Sequence, residues 1–174
     1  MVDLKSFIRD VPDFPKPGIM FRDITPLLAH GPAWQATVDQ LVAQYRGKVD
    51  VILGIESRGF LIGSAMAYAM GCGIAVVRKP NKLPAATFNA SYSLEYGTDT
   101  LEIHQDAFAP GSRVLVVDDL LATGGTAEAA IALVRQLRGE VVAAAFIIEL
   151  TFLPGRQRLA PSEVHSLIQY DSEE

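Results

Sequence analysis

An α/β fold with a mainly parallel central sheet flanked by helices is what this sequence predicts, on three observations. Compact runs of Val, Ile, Leu and Ala recur at residues 49–55, 74–77, 114–117 and 141–150, too apolar for strands with a solvated face. Segments whose apolar residues recur at helical spacing separate them. The resulting order of strand, helix and strand implies right-handed crossovers with helices on both faces of the sheet.

Taken in order, residues 11–18 hold three prolines and predict a stiff, extended entry segment. Pro32 opens a helix in which Trp34, Val38, Leu41, Val42 and Tyr45 share a face. A buried strand follows over 49–55, then a helix to about Met70. Residues 59–77 carry no charge and approach the length of a membrane span. Gly63, Ser64, Tyr68, Gly71 and Gly73 interrupt that stretch, so it reads as a helix, a turn and a short strand over 74–77. Residues 79–103 alternate polar and aromatic positions through Tyr92, Leu94 and Tyr96 and read as a two-stranded excursion outside the core; insertions of this length are commonly functional. The run 114–117 belongs at the sheet centre. Ala130, Ile131, Val134 and Leu137 mark the next helix, and 141–150 and 164–170 the last two strands.

The composition narrows the function. With 49% hydrophobic and 20% charged residues, 174 residues suffice for one domain with its own core, and no linker divides the chain. Fifteen Lys and Arg against 20 Asp and Glu leave a net charge of -5, against a general binder of nucleic acid or of acidic membranes. A single cysteine, Cys72, excludes a disulfide framework and a thiolate zinc site, and His30, His104 and His165 are scattered. Asp3, Lys5, Arg9 and Asp10 stand where a signal peptide would need apolar residues, so the expectation is a soluble, cytoplasmic protein.

The most informative junction joins the central strand to its helix: Asp118 and Asp119, then Ala122, Thr123, Gly124, Gly125 and Thr126. A small-residue turn at a helix start bares backbone N–H groups, adds two hydroxyls and suits a phosphate monoester. It lacks the lysine of a Walker A loop. The paired carboxylates would repel that phosphate but accept hydrogen bonds from ribose hydroxyls. Phosphate on the glycines and sugar on the acids describe a ribose 5-phosphate site.

Residues 114–126 resemble the phosphoribosyl-pyrophosphate (PRPP) motif of the type I phosphoribosyltransferases. Further segments are similar to the adenine phosphoribosyltransferase family: Phe14-Pro15-Lys16-Pro17-Gly18-Ile19, Phe21-Arg22-Asp23-Ile24-Thr25-Pro26, Glu56-Ser57-Arg58-Gly59-Phe60, Arg78-Lys79-Pro80, Lys82-Leu83-Pro84 and Tyr92-Ser93-Leu94-Glu95-Tyr96-Gly97. The likeness runs from about residue 14 to 150; Asn81 departs from it, standing where glycine is expected, and asparagine tolerates a positive φ.

That resemblance implies the type I phosphoribosyltransferase fold over 1–174, with an N-terminal hood over about 1–30 and a flexible β flap over about 79–103. It implies transfer of the 5-phosphoribosyl group from PRPP to adenine, giving AMP and pyrophosphate, by a homodimer using Mg²⁺ held by substrate and water. Asp118, Asp119 and 122–126 would bind ribose and 5-phosphate, and Ser57, Arg58, Arg78, Lys79 and Lys82 the pyrophosphate. Glu95 would be the catalytic acid/base, its pKa raised as the flap closes, with His104 and Tyr96 candidates to assist it. Met20 and Arg22 would read the adenine edge through their backbone, and Phe21 and Leu150 would wall the ring, although ordinary core packing explains those two equally well. Transfer to another base (hypoxanthine, guanine or xanthine) and a PRPP-sensing regulator without catalysis are the alternatives.

Overall fold

The computed structural model describes residues 2–94 and 97–173. Among them a five-stranded, wholly parallel sheet runs in the order β4 (Gly73–Val77), β3 (Val51–Ile55), β7 (Arg113–Leu121), β8 (Glu140–Leu150), β9 (Val164–Tyr170). The central strand is β7, as its unbroken apolar run requires, with residues 114–117 fully buried.

Side-chain alternation along these strands divides the interior in two. Ile52, Leu115, Val117, Ala143 and Ala145 face a core completed by α1 (Thr25–Ala29), α2 (Gly31–Ala43) and α3 (Arg58–Met70). Leu53, Ile55, Val114, Val116 and Ala144 face the other, under α4 (Gly125–Gln136).

A hairpin covers much of that second face. Its strands, β5 (Thr87–Ser93) and β6 (Thr98–His104), pair antiparallel from Thr87–His104 to Ser93–Thr98. The excursion expected over 79–103 is therefore two-stranded, but it does not lie outside the core: Tyr92, Leu101 and Ile103 are buried against α4 and β4. Alternation in β6 sends Leu101 and Ile103 inward while Thr100 and Glu102 stay part-exposed.

The uncharged stretch before Arg78 splits as its glycines suggest. Helix α3 ends on Gly71 in the left-handed conformation (φ 68°), and β4 begins two residues on. No helix among the described residues is long and apolar enough to cross a membrane. Asn81 adopts φ 65°, so the turn survives the loss of glycine. At the N-terminus, β1 (Arg9–Val11) and β2 (Phe21–Asp23) form an antiparallel ribbon above the carboxyl ends of the sheet, and the proline-rich segment loops between them.

Candidate active site

The carboxyl ends of β3, β4, β7 and β8 carry most of the residues singled out above, as expected in a parallel sheet, while Met20, Phe21 and Arg22 come from the N-terminal ribbon. Strand β7 brings Asp118 and Asp119 out in succession; Asp119 is 6% exposed, and its N–H donates to Asp118 Oδ1 at 2.9 Å. Burial, reinforced by the neighbouring Asp119 carboxylate, pushes the Asp118 carboxyl well above the usual range, with Arg58 opposing. Such an acid is stabilised by donors or positive charge placed beside it, as ribose hydroxyls or a cationic sugar carbon would provide.

Past Leu121 the chain turns through Ala122, Thr123 and Gly124, and α4 starts at Gly125. Gly124 caps the helix in the left-handed conformation (φ 83°), and no side chain occupies the cap. The first intrahelical bond runs from the Glu128 N–H to the Gly124 carbonyl, leaving the earlier N–H groups without helical partners. A cavity of about 100 Å³ opens here, lined by Asp118, Thr123, Gly124, Gly125 and Thr126 among others. Its size and its N–H groups at the positive end of a 12-residue helix suit a phosphate.

The cations expected to hold pyrophosphate are each engaged with a carboxylate. Ser57 and Arg58 follow β3 on the exposed rim, and Arg58 Nε donates to Asp119 Oδ2 at 2.5 Å. Burial disfavours the Arg58 charge, but the Asp119 carboxylate outweighs that and raises its pKa. Arg78 and Lys82 converge on Glu56: Arg78 Nη2 lies 3.3 Å from Glu56 Oε1, Lys82 Nζ pairs with the same oxygen, and the Lys79 N–H donates to Oε2 at 2.8 Å. Burial works to raise the Glu56 carboxyl, yet these donors bring it down to about 2. Lys79 Nζ turns to the hairpin, pairing with Asp99 and lying 3.0 Å from the Tyr92 hydroxyl. The cationic cluster is thus held in place before any anion arrives.

Met20, Arg22 and Leu150 meet on a cavity of about 210 Å³, together with Ile19, Phe152 and Ala122. Phe21 is not on its wall. Its ring packs edge-on to Phe14 at 5.1 Å and lies 5.5 Å beneath the Arg58 guanidinium. Ala122 borders both this cavity and the small one at the turn. The sheet register explains why: Leu121 pairs with Glu149, so the residues that follow them, Ala122 and Leu150, emerge side by side. Glu95 and Tyr96 lie outside the described residues. His104 pairs with Thr87 at the end of the hairpin remote from Gly97, and its ring accepts from the Ala85 N–H at 3.3 Å.

A phosphoribosyl transferase domain model matches residues 28–166. The adenine phosphoribosyltransferase of Solibacter usitatus is 59% identical over 172 residues, covering 98% of this chain and 99% of that protein. The crystal structure of the adenine phosphoribosyltransferase from Thermoanaerobacter pseudethanolicus superposes with a TM-score of 0.94 at 50% identity, covering 97% of this chain and 98% of that one. The Saccharomyces cerevisiae enzyme, complexed with an imino-altritol bisphosphate and adenine, gives 0.90 at 42% identity over 95% of this chain and 96% of its own. The chain belongs to the adenine phosphoribosyltransferase family.

Within this family fold, the segment after Leu150 contributes more to the site than its sequence suggests. Gly155, the first residue of α5 (Gly155–Leu159), packs on the turn at 122–126: a Cβ there would overlap the Ala122 carbonyl oxygen and lie 2.9 Å from Leu121 Cδ1. A Cβ on Gly124 would in turn lie 3.0 Å from the Gly155 carbonyl oxygen. Next to Leu150, Glu149 is 2% exposed, gripped by Arg156 Nε and Nη2 at 2.8 and 2.5 Å and by the Ser166 hydroxyl at 2.6 Å. Burial opposes its ionisation, and these donors still hold its carboxyl below the ordinary range. The one local signal was an acid at the end of an otherwise apolar strand, since a buried carboxylate requires a partner.

Proposed function

We propose that this chain transfers the 5-phosphoribosyl group of PRPP to adenine, forming AMP and pyrophosphate in purine salvage. The observation that carries the reading is the pair of cavities meeting at Ala122, one phosphate-sized at a helix start and lined by Asp118, the other largely apolar against Leu150. A nucleoside monophosphate has the same order of parts: phosphate, ribose, base. The adenine named with the yeast relative supports the choice of base.

In this mechanism the turn at 122–126 takes the 5-phosphate, and Asp118 and Asp119 take the ribose hydroxyls. Arg58, Arg78, Lys79 and Lys82, beside Ser57, exchange their carboxylate partners for the pyrophosphate oxygens. The C1–O bond breaks with its electron pair going to pyrophosphate, and the N9 lone pair forms the new bond to C1. Positive charge grows on the ribose during the exchange, and the carboxyl groups at the end of β7 stabilise it. Glu95 receives the proton that adenine gives up. Met20 and Arg22 offer backbone groups to the base edge, and Leu150 covers one face of the ring with Phe21 nearby.

The donors at the end of β7 fit Mg²⁺: they are hard carboxylate oxygens, and Asp119 is already partnered by Arg58, which favours contact through water. Asp118 or Asp119 would hold Mg²⁺ through water, and the ion would supply neutralisation of the leaving pyrophosphate. The reading carries with it one phosphoribosyltransferase domain, a cytoplasmic location and a homodimer. Leu61 and Tyr68 on α3 (51% and 91% exposed) and Ile74 on the edge strand β4 (38%) offer an apolar surface for a second copy.

The test incubates the protein with PRPP, Mg²⁺ and each nucleobase in turn, measuring nucleotide and pyrophosphate. AMP from adenine alone, lost in Glu95→Ala with PRPP binding retained, is the expected result. Product from hypoxanthine or guanine instead overturns the base assignment, and PRPP binding without product from any base points to a regulator.

A further inference from the structure

Glu173, at the end of the described residues, lies on the cavity read above as the base site. Leu150 and Tyr170 are register partners at the carboxyl ends of β8 and β9, and the Thr151 N–H and hydroxyl both donate to the Tyr170 carbonyl, at 2.8 and 3.1 Å. The chain leaving Tyr170 therefore starts beside the Leu150 wall, and Glu173 lines the same cavity as Met20, Arg22 and Leu150.

Arg22 ties that tail to the N-terminal ribbon. Its side chain is 2% exposed, and the guanidinium has three partners on three segments: Nη1 meets Asp10 Oδ1 of β1 at 2.6 Å, Nη2 donates to the Glu173 carbonyl at 2.9 Å, and the Tyr170 ring centroid lies 4.1 Å away. Lys5 adds a second cation 4.2 Å from the same ring, with its Nζ 3.4 Å from the Gln169 carbonyl. Burying a guanidinium so deeply is costly unless its donors are satisfied, so the planar fork locks these segments in one arrangement. Met20 and Arg22 both line the cavity, so the Arg22 side chain ties the cavity wall to that arrangement.

We propose that residues 171–173 form a wall of the base pocket, and that Arg22 is a positioning residue whose side chain, anchored on Asp10, Tyr170 and the Glu173 carbonyl, fixes the backbone that reads the base. The proposal rests on the assignment of the Leu150 cavity to the base. It separates two roles within one residue: backbone toward the ligand, side chain toward the tail. Ala122 borders the same cavity, but none of the Arg22 partners belongs to the turn at 122–126 or to the cations on Glu56, so the KM for PRPP serves as the internal control.

The experiment compares the full chain with one ending at Tyr170, measuring KM for adenine, KM for PRPP and kcat. Loss of a hydrogen bond to a buried cation and of one pocket wall raises the adenine KM about tenfold. The PRPP KM and kcat stay within about twofold, a split that general loosening of the fold does not produce. An adenine KM within about twofold of the full chain, or equal rises for both substrates, overturns the proposal. Should the shortened chain not fold, Asp10→Asn alters only a half-exposed partner of Arg22 and raises the adenine KM about threefold; an unchanged KM there overturns it equally. Both chains are also run with hypoxanthine and guanine. A full chain preferring one of those refutes the adenine assignment, and the tail effect is then read on that base. A full chain that turns over no base refutes the proposed function and this inference together.

Discussion

Gly155→Ala probes the contact between α5 and the turn at 122–126, proposed to take the phosphate. The new methyl would lie 2.9 Å from Leu121 Cδ1, where ordinary contact begins at 3.4 Å, and deeper still against the Ala122 carbonyl oxygen. That oxygen is backbone, so the overlap cannot be relieved by rotating a side chain; the turn or α5 must move on the order of 1 Å. Overpacking of this kind costs about 1–3 kcal/mol, partly offset because alanine favours a helical position over glycine by about 1 kcal/mol. The kinetic cost is larger. A reacting group misplaced by 1 Å loses on the order of 100-fold, and Ala122 borders both cavities, so kcat/KM for PRPP falls by about that factor while the protein stays folded. Steady-state rates over a range of PRPP at saturating adenine, with a thermal melt as control, measure both effects. PRPP kinetics within about twofold of the parent would show that α5 does not set the position of the turn.

Two further outcomes follow from the buried charges. Glu56 is held down to about 2 from an ordinary 4.5, so its ionised form stabilises the fold above pH 4.5, and that contribution is lost as pH falls toward 2. Glu56→Gln should therefore lower stability by about 2 kcal/mol near neutrality. Urea melts at neutral and acidic pH should show the difference from the parent shrinking below pH 4.5; a constant difference would deny the ion-pair origin. Arg156→Ala leaves the Glu149 carboxylate, 2% exposed in the parent, without its cation and with the Ser166 hydroxyl still donating, and should cost about 3 kcal/mol in the same melts. Pairing it with Glu149→Gln should recover part of that loss, and a double variant no more stable than Arg156→Ala would refute the explanation.

The fold was readable where one local rule dominated. A run such as 114–117 has no polar residue to present to water, so the centre of a parallel sheet is its only comfortable place. The turn at 122–126 declares itself through small residues that bare the backbone, and Asn81 through its tolerance of φ 65°. The hairpin was harder. Its two strands follow from alternation, but Tyr92, Leu101 and Ile103 look like any apolar strand residues until α4 is laid against them.

Other features depend on residues far apart in the chain. Nothing near Arg58 announces Asp119, and nothing near Arg22 announces Asp10, Tyr170 and the Glu173 carbonyl. Ala122 stands beside Leu150 only because β7 and β8 are parallel neighbours in one register, since a slip of one residue would reverse every side chain of the strand. Gly155 reads as a loop glycine until the Ala122 carbonyl is seen pressed against it. Which residue types sit at strand ends and turns is a matter of short-range backbone chemistry, written every few residues along the chain. Which strand end faces which is decided by packing the whole sheet, and it is that packing which brings the turn at 122–126, the two carboxylates and the cavity against Leu150 together.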